Sequence, residues 1–445
     1  MQMKRGPQHR EKKDLSATGL LKIARDSFEG IQFQKRNVLG KTKKLNQADS
    51  LMSALAMFSL KSPSLLAFDQ SRNDQVFKNN LKNLYGIEQA PSDTHMREEL
   101  DEIDSVNLRQ SFVEIFSACQ RGKLLEEYRF LDGVLVLVDG TGFFNSEKIS
   151  CDDCCIKQHK DGRTSYYHQA LAAVIAHPSK KQVIPLCPEL ISKQDGKEKN
   201  DCERRAQQRF FEALKKEHPR LKATIAYDAL AANTPTINDI KSFGHHFIIN
   251  VKPSGNKSLF EFIQGLDFRE TSISIGKNHY AFRYINRVPL NDAKGAPEVN
   301  FLECVATEVV GKKVIEKTFS WVTDHVIAKD NICLIMQGGR ARWKIENETF
   351  NTLKNQGYQF EHNFGHGKKH LYSVFILLMM LAFLIDQIQE AACGLFQSAL
   401  QTRVSRRSLW ERIRSYFNLY FINSWEDLFI AISRSVAAVL PSASP

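Results

Sequence analysis

The chain has 445 residues, of which 42% are hydrophobic and 25% are charged, and its formal net charge at pH 7 is +11. This composition is typical of a soluble globular protein, and the length allows roughly two to four domains with a large core. The nine cysteines and a basic N-terminus without an apolar core argue against a secreted disulfide framework. The positive charge indicates an anionic partner, most naturally nucleic acid, and a merely basic soluble protein is the alternative.

The first 129 residues divide into a basic arm and a helical region. Residues 1–45 carry twelve Lys or Arg against four Asp or Glu, a local net charge of +8, and predict a flexible arm that neutralises DNA phosphates. Residues 46–129 have helical apolar periodicity, and Ser92, Asp93 or Thr94 is expected to cap a helix there. We interpret this region as a DNA-binding module or as a helical lid on the core.

The predicted core begins near Phe130. The aliphatic run VLVLV, residues 134–138, predicts a strand that is buried on both faces and ends at Asp139. Residues 166–186 predict a hairpin around the turn HPSKK. Three elements are expected to follow: a charged helix over 200–219, a strand from residue 223 that ends at Asp228, and a strand over 243–253.

The second half of the chain is expected to complete this core around an insertion. Strand-like stretches separated by polar turns predict a β-rich insertion over 254–320, so the core would comprise 130–253 and 321–390. The apolar run over 374–385 is too short to span a bilayer and predicts a buried helix. The tail, 391–445, contains a basic amphipathic helix that is expected to pack, contact DNA or mediate dimerisation, and its last residues are expected to be disordered.

Residues 340–357, RARWKIENETFNTLKNQG, predict one helix that ends at Gly357. Arg342 and Glu346 are four residues apart and share a face of this helix. Glu348 is the alternative acidic residue, but it lies about 200° further round the helix, so only one of the two glutamates can face a given site. Two strands that each end in an aspartate, followed by a helix that carries a glutamate, are the layout of a two-metal phosphoryl-transfer site.

The motifs VDGT at 138–141, YDA at 227–229 and RWKIEN at 342–347 carry a resemblance to a known family. In order and spacing they resemble the DDE transposases of bacterial insertion sequences, in the large insertion-sequence-four superfamily. The resemblance covers residues from about 90 to 390. It implies an α/β fold with an RNase H-like mixed sheet flanked by helices, a β-rich insertion and a helical N-terminal region.

The resemblance also implies a chemistry and its partners. Asp139, Asp228 and Glu346 would bind Mg²⁺ or Mn²⁺, cations that prefer oxygen ligands. Two such ions about 3.5–4 Å apart stabilise the attacking and leaving oxygens of a phosphoryl transfer. Expected partners are double-stranded DNA, both element ends and target, and a second copy of the chain on that DNA. The expected location is the bacterial cytoplasm at the nucleoid, without a membrane partner.

The family's third acidic residue lies within a Tyr, Arg, Glu, Lys signature, which this sequence matches in part. Arg342 and Glu346 fit its spacing, whereas Gly339 stands at the tyrosine position and Lys354 lies one residue past the lysine position. The predicted DNA-phosphate contacts are basic side chains of this helix and the following loop: Arg342, Lys354, Lys368 and Lys369. The histidines of that loop, EHNFGHGKKH, are not interpreted as metal ligands, because its glycines argue against a regular helix.

The sequence CDDCC at 151–155 is the second cluster of reactive side chains. Cys151 and Cys154 have the spacing of a zinc-binding pair, and His159 and Cys202 are the expected further ligands of a closed structural Zn²⁺ site. The alternative is a surface loop with free thiols.

Two other functions are compatible with the predicted carboxylates or with the positive charge. One is a metal-dependent DNA nuclease or resolvase that has the same core and no strand transfer. The other is a catalytically inactive DNA-binding relic, against which the three acidic residues argue. Joined 3′ ends of DNA, rather than nicks alone, would distinguish a transposase from a nuclease.

Overall fold

The computed structural model describes residues 13–31, 46–191, 199–310 and 313–434. The described chain alternates helical segments with one large sheet, so the expectation of a mixed α/β fold is confirmed. The strands are β1 (Arg129–Phe130), β2 (Gly133–Ser146), β3 (Cys155–Gln158), β4 (Thr164–Ala176), β5 (Ile184–Pro185), β6 (Glu189–Ile191), β7 (Ala223–Tyr227), β8 (His246–Asn250), β9 (Arg269–Ile275), β10 (Asn278–Pro289), β11 (Glu298–Val310) and β12 (Lys313–Thr323). The α-helices are α1 (Ala17–Glu29), α2 (Gln47–Ser59), α3 (Leu65–Ser71), α4 (Gln75–Tyr85), α5 (Asp93–Asp101), α6 (Arg109–Arg121), α7 (Lys199–Glu217), α8 (Thr234–Ser242), α9 (Lys257–Ile263), α10 (Ile332–Ala341), α11 (Asn351–Asn355), α12 (Leu371–Ala392), α13 (Gly394–Gln401), α14 (Arg406–Leu419) and α15 (Trp425–Arg434).

The strands form one 12-stranded mixed sheet, whose main path runs in the order β3-β4-β2-β7-β8-β12-β11-β10-β9. Strand β2 is antiparallel to β4 and parallel to β7, and β7 is parallel to β8. Strands β9 to β12 are an antiparallel meander that joins the sheet where β12 pairs with β8. The region predicted as a β-rich insertion therefore extends the sheet of the core.

Strand β2 is longer than the sequence predicted. Residues 135–138 are almost fully buried, as expected for a run covered on both faces, but the strand continues through Asp139 to Ser146. Its pairing with β7 ends at Leu137, whereas its pairing with β4 continues past a bulge between Gly142 and Phe144. Asp139 therefore marks the end of the parallel pairing and not the end of the strand.

The predicted hairpin over 166–186 is a long strand with short partners. Strands β5 and β6 both run antiparallel to β4, one after the other along its length, and the backbone N–H of Leu186 donates to Ala173 between them. The predicted helix over 200–219 and the two strands after it correspond to α7, β7 and β8.

The helix expected at 340–357 starts earlier and is not uniform. Helix α10 begins at Ile332, and residues 345–350 form a π-helical turn that leads into α11. Gly338 and Gly339 are weak helix formers, so the sequence did not predict a helix there. A Cβ atom at Gly339 would lie 2.2 Å from the Trp321 indole, so the glycines allow α10 to pack closely on the sheet.

The region predicted as a flexible basic arm is in part a packed helix. In α1, Leu20, Leu21, Ala24 and Phe28 form a buried stripe, and the helix packs on α6 and α2. The remainder of the predicted arm, residues 1–12 and 32–45, lies outside the described residues, as does the predicted disordered C-terminal end.

Helix α12 is the centre of the helical part of the fold. It has 22 residues, and it alone among the described helices is long and apolar enough to cross a membrane by length and composition. In the fold, 94% of its most apolar window is buried inside the protein, where it packs on α2, α5 and α13. The prediction of a buried helix is therefore confirmed, although the helix is longer than the apolar run.

A buried ion pair joins α12 to the N-terminal helices. Lys61 Nζ lies 2.6 Å from Asp386 Oδ2, and both side chains are almost completely inaccessible. The ammonium group also lies 3.8 Å from the ring centre of Trp410 and 3.9 Å from that of Tyr358, whose hydroxyl donates to Asp386. Burial lowers the pKa of Lys61 to about 8 against the opposing charge of Asp386, whose own pKa burial raises.

We expect Lys61→Met to destabilise the fold by about 3 kcal/mol, because it leaves the Asp386 carboxylate buried without its cation. The double variant Lys61→Met/Asp386→Asn removes that uncompensated charge and keeps an acceptor for Tyr358, so it should recover at least half of the loss. Urea denaturation at neutral pH measures both changes. A double variant no more stable than Lys61→Met would contradict the assignment of the loss to electrostatics.

Candidate functional site

Two aspartates meet at the ends of neighbouring parallel strands. The last parallel pair between β2 and β7 joins Leu137 to Ala226, and Asp139 and Asp228 each follow two residues later. Parallel strands present their carboxyl ends at the same edge of a sheet, so the pairing itself brings these two side chains together. Asp228 also caps the short 3₁₀-helix that follows it, where its Oδ1 accepts the backbone N–H of Leu230 at 3.1 Å.

Arg342 connects the third acidic residue to this pair. Its guanidinium donates to Glu346 Oε1 at 2.8 Å and to Asp139 Oδ2 at 3.4 Å. Arg342 is the last residue before the helical segment that carries the π-helical turn, and Glu346 lies within that turn. The predicted set Asp139, Asp228 and Glu346 is therefore brought to one place, with an arginine in contact with two of its members.

The electrostatics of the cluster are those of crowded carboxylates. Burial raises the pKa of Asp139 to about 6, the guanidinium of Arg342 opposes the rise, and the charges of Asp228 and Glu346 add to it. A cation would relieve this repulsion, and carboxylate oxygens are the ligands that Mg²⁺ and Mn²⁺ prefer. Their oxygens are therefore ligands of the type that such ions bind.

Glu203, on α7, is a fourth carboxylate that the sequence analysis missed. A Cβ atom built on Gly140 would lie 2.9 Å from Glu203 Oε1, so this side chain lies against the residue that follows Asp139. Together with Asp139 and Asp228, it adds to the effect of burial in raising the pKa of Tyr227 well above its usual value. Nothing in the sequence distinguishes Glu203 from the other charged residues of its helix.

Glu348, the competitor of Glu346 in the sequence, faces another part of the fold. Its Oε2 lies 3.6 Å from Arg406 on α14, and its side chain is only 14% exposed. Glu346, by contrast, is 49% exposed and pairs with Arg342 beside Asp139. The two side chains point to different parts of the fold, so Glu346 and not Glu348 lies near the aspartates.

The basic residues predicted to contact DNA have carboxylate or backbone neighbours in the fold. Lys354 Nζ lies 2.7 Å from Glu361, and Lys369 Nζ lies 2.6 Å from Glu102. At the start of α12, the backbone N–H groups of residues 368–371 all donate to the carboxylate of Asp101, the last residue of α5. At Gly339, where the family has a tyrosine, the Trp321 indole leaves no room for a side chain.

The structure brings together only part of the predicted zinc site. The Sγ atoms of Cys151 and Cys154 lie 3.6 Å apart. His159 was wrongly predicted to join them: it lies at the turn between β3 and β4, and its Nε2 is 2.5 Å from Ser165 Oγ. The side chain of Cys202 lies outside the described residues. The imidazoles that do adjoin the two thiols are those of His168 and His366, which the sequence analysis did not select.

A second group with metal-ligand chemistry consists of Asp132, His246 and His325. Its imidazoles already have partners within the fold. His246 Nδ1 lies 2.9 Å from Asp324 Oδ2, and His325 Nε2 lies 2.9 Å from Thr224 Oγ1. These contacts explain the cluster as hydrogen bonding at the β8–β12 junction.

We expect Asp139→Asn to stabilise the metal-free protein at pH 7.5 by about 2 kcal/mol. Folding raises the pKa of Asp139 from 3.8 to about 6, so stability is lost as the pH rises from the lower value to the higher one, and the neutral amide avoids that cost. At pH 5 the folded carboxyl is largely protonated but the unfolded one is ionised, so the advantage of the variant should fall to about half. Thermal denaturation of both proteins at the two pH values, in a chelating buffer, measures the difference. A variant less stable than the parent at pH 7.5 would show that Arg342 stabilises the Asp139 carboxylate more than burial destabilises it.

The described site is thus a crowded group of carboxylates at a sheet edge, partly neutralised by one arginine. It offers oxygen ligands to a hard cation. Comparison with known proteins adds no family: the chain matches no family model and no curated protein.

Proposed function

We propose that the chain is a DNA transposase that cuts at the ends of its own insertion sequence and joins the 3′ ends to target DNA. The single observation that carries the proposal is the convergence of Asp139, Asp228 and Glu346 from two parallel strands and one helical turn. This is the arrangement expected from the resemblance to DDE transposases. The overall net charge of +11 is consistent with a nucleic-acid partner.

The strand order supports an RNase H-like core as part of this proposal. Strand β2 lies between an antiparallel neighbour, β4, and a parallel neighbour, β7, and β8 follows in parallel. An RNase H-like sheet has this succession of three antiparallel strands and two parallel ones, with the first strand central. Helix α7 connects the antiparallel part to the parallel part, as the crossover in such a core requires.

Each residue of the site has a distinct role in the proposed reaction. Asp139 and Asp228 would hold divalent cations at the sheet edge, and Glu346 would complete the set from the helical turn. The bound cations would supply Lewis-acid stabilisation of the attacking and leaving oxygens. Arg342 bridges Glu346 and Asp139 through its two terminal nitrogens. Its planar guanidinium would suit a DNA phosphate when cations neutralise the carboxylates.

Asp139→Asn, Asp228→Asn and Glu346→Gln should each reduce Mg²⁺-dependent DNA cleavage by at least about 10³-fold, because each removes a charged metal ligand. DNA binding, measured by fluorescence anisotropy without Mg²⁺, should change little. The substrate is a duplex that contains the DNA flanking the gene, and the assay detects both nicks and joined 3′ ends.

Glu348→Gln is the matched control, since this glutamate lies two residues from Glu346 and faces Arg406 instead. It should retain cleavage. Full activity in Glu346→Gln with loss in Glu348→Gln would reject the assignment of the third ligand. Nicks without joined ends in the unmodified protein would favour a nuclease over a transposase.

We expect the Lys and Arg side chains near the N-terminus to contribute to the salt dependence of DNA binding. Residues 1–12 contain four Lys or Arg residues and precede the packed helix α1. Deleting residues 1–12 should make the slope of log K against log salt less negative by up to about 3.6, since each neutralised phosphate contributes about 0.9. Substituting Lys4, Arg5, Arg10 and Lys12 by Gln tests charge at constant length and should have the same effect. An unchanged slope in both variants would exclude this segment from the interface.

A further inference from the structure

We propose that Cys151, Cys154, His168 and His366 bind one structural zinc ion, at a site separate from the carboxylates. The four side chains come from three parts of the chain that fold together. Cys151 and Cys154 lie in the loop between β2 and β3, His168 lies in β4, and His366 lies in the loop before α12. Two thiolates and two imidazoles are a closed ligand set for structural zinc.

The distances between the ligand atoms match the edges of a tetrahedron around zinc. Bond lengths of about 2.3 Å to sulfur and about 2.0–2.1 Å to nitrogen predict edges of about 3.8 Å for S–S, 3.6 Å for S–N and 3.3 Å for N–N. The S–S distance is 3.6 Å, and His168 Nε2 lies 3.4 Å from each of the two sulfurs. His366 Nε2 lies 3.6 Å from Cys154 Sγ and 3.1 Å from His168 Nε2. Five of the six edges therefore have the length expected at a metal centre, and the sixth, between Cys151 and His366, is no longer than 4.8 Å.

Hydrogen bonding alone does not account for this arrangement. His168 is only 1% exposed, and its Nε2 faces both sulfurs and the other imidazole nitrogen at once. A neutral imidazole has at most one proton on that nitrogen, and a single N–H bond points along one direction. A cation at the centre satisfies all four atoms together, which a shared proton does not.

The surroundings hold the ligands in the orientation that a metal requires. The backbone N–H of Cys151 donates to Cys154 Sγ at 3.3 Å, and His366 Nδ1 lies 3.5 Å from Asn363 Oδ1. Such outer contacts orient cysteine and histidine ligands in metalloproteins. The ring of Tyr372 stacks on His168, with 3.9 Å between ring centres. The positions of both imidazoles are thus set by packing as well as by one another.

The glycines beside His366 have a structural reason that supports the same site. Gly365 and Gly367 have positive φ values of 147° and 67°, which L side chains rarely adopt. A Cβ atom at Gly367 would collide with Asp101, so the loop passes too close to α5 for a larger residue. The glycines that argued against a helix in this loop instead allow it to present His366 to the two thiols.

The ion would connect the strand of one catalytic aspartate to the segment that follows the catalytic glutamate. His168 pairs with Phe144 on β2, the strand that carries Asp139. His366 lies in the connection between α11, which follows Glu346, and α12. Zinc bound here would hold these segments together without touching the reacting atoms, which is a structural role.

Metal analysis of the purified full-length chain tests the proposal. About one zinc per chain is expected, and Cys151→Ser and His366→Ala should each lose most of it. His159→Ala and Cys202→Ser are matched controls that should retain zinc, since neither residue belongs to the proposed set. Removal of zinc by a chelator should lower the thermal midpoint by about 5 °C or more, and readdition of zinc should restore it.

Cobalt substitution keeps the test decisive if a ligand variant does not fold. Co²⁺ in the unsubstituted chain should give the intense visible bands of a tetrahedral site with thiolate-to-metal charge transfer. Asp139→Asn should keep both its zinc and the cobalt spectrum, which separates this site from the proposed catalytic one. A zinc-free chain that is equally stable with chelator, or zinc lost on His159→Ala, would overturn the proposal.

Discussion

The parallel pairing of β2 with β7 is the constraint on which the candidate site depends. It places Asp139 and Asp228 at one sheet edge, and no contact between the aspartates is needed to hold them there. The long β4 strand supports β2 from the other side along most of its length. The backbone hydrogen bonds of three strands thus resist the repulsion between carboxylates that burial strengthens at this edge.

Arg342 has a double effect on the electrostatics of this edge. It lowers the cost of crowding the carboxylates, and it occupies oxygens of Asp139 and Glu346. A divalent cation bound there would therefore compete with the guanidinium for the same oxygens. On the proposed function, a DNA phosphate gives the guanidinium its alternative partner, so substrate binding and metal binding favour one another.

The sequence was most informative where the candidate site depends on local pattern. An aliphatic run before Asp139, a short strand before Asp228 and the spacing of Arg342 and Glu346 were enough to predict residues that the fold brings together. The sequence could not predict Glu203, because its relation to Gly140 exists only once α7 packs on the sheet. The π-helical turn around Glu346 was likewise invisible to helical periodicity.

The cysteine cluster shows the same limit, because its neighbours in the fold are distant in the sequence. The spacing of Cys151 and Cys154 indicated a metal-binding pair, and the nearest histidine in sequence was taken as a ligand. The fold uses His168, hidden in the pattern of a buried strand, and His366, more than two hundred residues away. Proximity in sequence was a poor guide here. The chain reverses direction between β3 and β4, so His159 lies at the turn whereas His168 lies further along β4.

The ion pair between Lys61 and Asp386 has a consequence for how the chain folds during synthesis. The partners are separated by 325 positions, and Asn80 on α4 similarly bonds to the backbone of Phe417 and Tyr420. The N-terminal helices therefore emerge from the ribosome long before the helices that cover them. Their apolar faces stay incompletely buried until almost the whole chain has been made, so folding cannot proceed from the N-terminus one domain at a time.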